Sequence, residues 1–197
     1  MGNLRRSRVG NIRRSLTFNL YGFANGDPVD FSDPFGLKVC YQGTGAEISE
    51  LKKTTESAPN TTFTLDKTNC VDPASVRSGG AKRFDALRAG FKDLVSSDAI
   101  FNVAFGAEAE SPQYSPYRIS IFRDADALAY STGAWGKCDG GRAAFSLPQV
   151  MAHELNHHFP VARGGTMTSG TRGENDAVRK GGNIYNAASG RRLRCHY

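Results

Sequence analysis

The stretch SLPQVMAHELNHHF at 146–159 restricts what this chain can build more than any other part of it. Ser146 has N-cap chemistry, Pro148 suits a first helical turn, and Gln149 stands at capping-box distance, so the sequence predicts a helix starting here. Val150, Met151, Leu155 and Phe159 supply apolar positions for burying it. His153 and His157 are four residues apart. At 1.5 Å rise per residue they stand about 6 Å apart along the axis and nearly in line. Two imidazoles so placed can converge on one ion with Zn–N bonds of about 2.0–2.1 Å. Glu154 adjoins the first of them, where a carboxylate reaches the metal's water without binding the metal. HExxH on a helix therefore points to zinc-dependent hydrolysis of a peptide bond, with Glu154 as the catalytic base. His158, next to the motif, reads as a packing or supporting residue rather than a ligand.

A catalytic zinc takes three protein ligands and keeps one position open. Downstream, Gly164, Gly165, Gly170 and Gly173 make a loop able to reverse the chain and bring a second short helix back over the first. Glu174 begins that helix and is the candidate third ligand. Thr171 to Glu174 also has capping-box spacing, so a capping role is the competing reading. Asp176 and His196 are the fallback ligands. No Gly and third His follow at metzincin distances.

The rest of the chain reads as α+β. At 197 residues it has room for one ordinary domain and an appendage. Thr44-Gly45-Ala46-Glu47 has capping-box spacing and opens a helix to about residue 56. Phe84, Leu87, Phe91 and Leu94 recur at helical spacing within Ala81–Val95. Tyr117–Arg123, with Ile119 and Ile121 alternating, reads as a strand, and Ala127–Thr132 as a weaker one. Gly133–Gly141, with Trp135, reads as a loop, and Arg142–Ser146 as a short strand. The expected core is a small antiparallel sheet beside the HELNH helix.

No apolar run approaches the roughly 20 residues a membrane span needs. The formal charge of +6 is uneven: residues 1–16 hold Arg5, Arg6, Arg8, Arg13 and Arg14 without one acidic residue. That block reads as a solvated terminus or as a grip on phosphates. With no apolar stretch after it, it is not a secretory signal. Cys40, Cys70, Cys138 and Cys195 form no CxxC pair, so a cysteine zinc site is not expected. Two disulfides in any of three pairings, or buried thiols, stay open.

Asn19–Leu37 contains NLYGF, GDPV and DPFGL, with turns at Asn25-Gly26, Asp27-Pro28 and Asp33-Pro34. This string resembles the end of the core of Rhs/YD-repeat proteins. The resemblance implies a remnant of a β-cocoon over 1–37, cleavage after Leu37 involving an aspartate such as Asp33, and a toxin domain over 38–197. A second resemblance covers about 50 residues. HELNH, then Glu174, Ala177-Val178, Asn183 and Arg194 to Tyr197, is similar to the effector-type zinc metallopeptidases, with Asn175 standing where a second Glu is frequent. It implies a zincin-like, gluzincin-like fold, with His153, His157 and Glu174 as metal ligands and Arg194 or Tyr197 stabilising the oxyanion. Together they imply a translocated effector, acting in the target-cell cytoplasm on a protein substrate. The cocoon of the parent protein is the implied partner, with an immunity protein where the targets are bacteria.

Two alternatives stand beside this. His157-His158-Phe159-Pro160, Gly164-Gly165, a later Asn and Cys195-His196 echo an HNH nuclease, although that reading has no use for Glu154. The other is a non-enzymatic binding module working through the basic leader. Nucleic acid is not the expected partner, because the leader supplies most of the positive excess.

Overall fold

Thr44 sets where the first helix begins. The Glu47 amide donates to its hydroxyl at 3.4 Å, and the Thr44 amide donates to the Glu47 carboxylate at 2.7 Å, so the predicted capping box forms. The computed structural model describes residues 38–106, 117–124, 128–134, 137–168 and 170–195. The Asn19–Leu37 string lies outside the described residues, as do Trp135, His196 and Tyr197.

In chain order, β1 (Lys38–Tyr41) leads into α1 (Gly45–Ser57), and β2 (Thr61–Thr62) pairs with β3 (Arg77–Ser78). Then come α2 (Asp85–Val95), β4 (Ile100–Gly106), β5 (Arg118–Phe122), β6 (Ala129–Ala134) and β7 (Lys137–Ala144). The chain ends in α3 (Leu147–Ala162), α4 (Gly170–Ala177), a π-helical turn (Val178–Gly182) and α5 (Asn183–Ala188).

The sheet beside α3 corrects the expectation of antiparallel strands. Its order is β1-β4-β5 and both pairings are parallel. Alternation tells which face of a strand is buried but carries no direction. Direction follows from the connections, and here α1 and α2 carry the chain back so that β4 runs alongside β1. Phe101, Val103, Ile119 and Ile121 point into the core with no exposed surface. Burying each contributes roughly 1.5–3 kcal/mol. The central strand β4 went unread in the sequence although Phe101, Val103 and Phe105 alternate there.

An antiparallel ribbon does exist, formed by β6 and β7. The expected loop at 133–141 is instead mostly its return strand, with Gly133 opposite Cys138. Lys137–Ala144 has no β-branched residue, so local propensity hides a strand that pairing creates.

Helix α2 buries the predicted stripe of Leu87, Phe91 and Leu94, with Phe84 in the 3-10 turn before it. Helix α1 meets α3 through Thr55, whose hydroxyl donates to the Leu51 carbonyl at 2.8 Å and lies 3.6 Å from the Met151 sulfur. Met151, Ala152, Leu155 and Phe159 bury the inner face of α3. Ser146 is its N-cap residue and Pro148 is in its first turn, as expected, but the capping box is absent. The Ser146 hydroxyl makes no capping bond, and Gln149 is buried instead of reaching back.

After α3 the chain reverses, and α4, the π turn and α5 return over it. The approach is closest at Gly181, where a Cβ would overlap the Ala152 carbonyl oxygen. All four cysteines pair, Cys40 with Cys70 and Cys138 with Cys195. The second bridge ties β7 to the C-terminal segment. Among the described residues no helix is long and apolar enough to cross a membrane.

Candidate metal centre

His153 and His157 share the face of α3 that α4 covers. Their Nε2 atoms are 3.3 Å apart. Glu174 comes across from α4 with one carboxylate oxygen 3.1 Å from His153 Nε2 and the other 3.5 Å from His157 Nε2. Ligand atoms around a tetrahedral ion with bonds of about 2.0–2.1 Å lie roughly 3.3 Å apart. The three side chains therefore fit a divalent ion of zinc's size and donor preference. Among the described residues they are also the one group of His, Cys, Asp or Glu close enough to share an ion.

Backbone geometry aims the second ring. His157 Nδ1 lies 2.9 Å from the Thr168 carbonyl oxygen. A carbonyl only accepts, so Nδ1 carries the proton and Nε2 turns its lone pair toward Glu174 and His153. The Thr168 amide in turn donates to the His157 carbonyl at 3.4 Å. The sequence did not reveal Thr168, because the group that acts is a peptide carbonyl and any residue type carries one.

Burial by itself would raise the pKa of Glu174 and lower that of His157. Hydrogen bonds to His153 and His157 outweigh it at Glu174, which is pulled down to about 2, and the bond to Glu174 outweighs it at His157, which is raised. Each group thus favours the charged form of the other. Glu154 keeps 27% of its side-chain surface exposed, with a carboxylate oxygen 4.0 Å from His153 Nε2. Loss of water around that carboxyl lifts its pKa, against the pull of the two imidazoles. A carboxylate biased toward holding a proton, close to the cluster and still partly exposed, suits general base work.

The other expected residues fall elsewhere. Glu174 does not begin α4, which starts at Gly170, and its carboxylate faces the imidazoles instead of closing a capping box with Thr171. Asp176 pairs with Lys180 at 3.1 Å. His158 is buried with its ring edge-on to Phe101, a packing role. Ala177 and Val178 are buried, and Asn183 clamps the Arg194 backbone at both its amide and its carbonyl, each at 2.8 Å. The Arg194 guanidinium lies over the Phe145 ring at 5.3 Å, and its backbone bridges to Thr132 of β6. This anchors the C-terminal segment to the ribbon. Tyr197 and the fallback ligand His196 lie outside the described residues.

The nuclease layout loses two members in this arrangement, with His158 in the core and Cys195 in a disulfide. Comparison with protein families, with curated proteins and with solved structures finds no match to this chain.

Proposed function

We propose that this chain is a zinc-dependent endopeptidase of the zincin, gluzincin-like kind. The convergence of His153, His157 and Glu174 on one point at tetrahedral spacing is the observation that carries this reading. These three residues would hold the ion. Zinc bound there supplies Lewis acidity toward a peptide carbonyl and makes water a better acid.

The remaining work falls to the chain itself. Glu154, the neighbour of a ligand on the same helix, accepts a proton from water as it attacks the carbonyl carbon. It then hands that proton to the departing amine. Its raised pKa favours holding the proton between the two transfers. Thr168 keeps the His157 ring aimed through both. Arg194 and Tyr197 are retained as candidate oxyanion donors on the strength of the effector-type pattern alone.

The same resemblance, with the Rhs-like string at Asn19–Leu37, makes the chain a translocated effector cut from a larger cocoon. Its substrate is a protein of the target cell, and an immunity protein would accompany it where that cell is bacterial. Glu154→Gln tests the mechanism. The variant should bind zinc like the parent chain yet lose proteolysis and toxicity. Full toxicity in the variant would refute the role of Glu154, and a parent chain that binds no zinc would refute the class.

A further inference from the structure

We infer that Gly173 is a positioning residue for the metal centre: having no side chain, it lets the Thr168 carbonyl stand where it orients the His157 ring. The inference rests on the zinc reading and deepens it by naming what aims one ligand.

Gly173 lies inside α4, where glycine is a poor helix former and alanine a good one. Something other than helix propensity keeps it there. A Cβ built at this position would stand 2.6 Å from the Thr168 carbonyl carbon, 3.1 Å from its oxygen and 3.3 Å from Thr168 Cβ. Non-bonded carbons rest at about 3.5–4.0 Å, so the Thr168 peptide would have to retreat by roughly 0.9 Å. Gly173 is buried, and the far end it presses on is backbone rather than a flexible side chain.

Thr168 holds His157 by two backbone bonds, its carbonyl accepting from Nδ1 at 2.9 Å and its amide donating to the His157 carbonyl at 3.4 Å. The 2.9 Å bond has only a few tenths of an ångström to give before it leaves hydrogen-bond range, so a shift of that size away from the ring breaks it. The proton is then free to move from Nδ1 to Nε2, and a protonated Nε2 has no lone pair for an ion. Glu174, the next residue along, would be displaced with the same turn of helix.

The test compares zinc affinity of the full chain and of Gly173→Ala by chelator competition, with helix content followed by circular dichroism. We expect a loss of affinity of about 10–100-fold, the range seen when the outer partner of a ligating histidine is removed. Helix content should hold, since alanine favours helix. Unchanged affinity would overturn the inference. Thr168→Ala keeps the carbonyl and removes only the hydroxyl, 3.3 Å from Nδ1. It should lose less than Gly173→Ala does; an equal or larger loss would assign the role to the hydroxyl and overturn the inference. If Gly173→Ala does not fold, nitrogen NMR of the ion-free parent chain in alkaline buffer decides. A proton on His157 Nδ1 supports the inference, and a proton on Nε2 overturns it. That measurement needs no metal, so it also separates a failure here from a failure of the zinc reading.

Discussion

Replacing Glu174 by alanine removes the one group that both imidazoles face. Protein zinc sites with four ligands have apparent binding energies of about 10–16 kcal/mol, so one ligand is worth roughly 2.5–4 kcal/mol. With about 1.4 kcal/mol per decade, Glu174→Ala should weaken zinc binding by about 10²–10³-fold. Among the described residues no other acid is set to compensate. Asp176 faces Lys180 at 3.1 Å, and the other acidic neighbour, Glu154, lies 4.0 Å from His153 Nε2 and outside the three-residue cluster. The substitution also takes away the hydrogen bond that raises the His157 pKa, so the imidazole of the variant should titrate lower than in the parent. Competition with a chromophoric chelator measures the affinity, and proton NMR of the histidine ring measures the titration. Zinc affinity indistinguishable from that of the parent would refute the assignment. It would leave Glu174 as a structural partner of the two rings.

Two further outcomes follow from the same contacts. In chelator, the depressed Glu174 contributes stability above its ordinary value near 4.5 that is lost as pH falls toward about 2. The raised His157 contributes fully below its ordinary value of 6.5 and loses that contribution as pH climbs through its higher folded value. Thermal unfolding of the chelated protein should therefore show the benefit of this pair in full between about pH 4.5 and 6.5. Zinc affinity should fall on acidification, because a proton must leave His157 first; affinity independent of pH from 5 to 8 (about the range of histidine titration) would contradict this. The disulfides make a separate prediction. The loops closed by Cys40–Cys70 and Cys138–Cys195, with separations of 30 and 57 residues, correspond to about 3.6 and about 4.2 kcal/mol of chain entropy. The second loop encloses His153, His157 and Glu174, so Cys138→Ala with Cys195→Ala should lower both stability in urea and zinc content at moderate temperature. A stability unchanged by that double substitution would show the bridge is dispensable.

Local chemistry explains why the two histidines and Glu154 are legible in the sequence. A spacing of four residues on one helix places side chains on one face whatever the rest of the fold does, and HELNH sits on a helix whose apolar residues repeat at helical spacing. The cap at Thr44 and the stripe through Leu87, Phe91 and Leu94 are legible for the same reason, since each depends on residues within one or two turns. Glu174 is visible there only as one of two readings, ligand or cap, because its role depends on how far the intervening loop turns back.

Tertiary structure decided the remainder. The parallel direction of β4 beside β1 arises from where α1 and α2 deposit the chain, and the alternation of Phe101 and Val103 holds no trace of it. The strand at Lys137–Ala144 exists through pairing with β6 and a bridge to Cys195, against its own composition. The partner of His157 is a peptide carbonyl at Thr168, which no residue type announces. Sequence alone determines interactions whose members are tied by helical pitch, because the pitch supplies the distance. Where the distance is set by a reversal of the chain, as between Glu174 and the imidazoles or between Gly173 and Thr168, only the folded backbone supplies it.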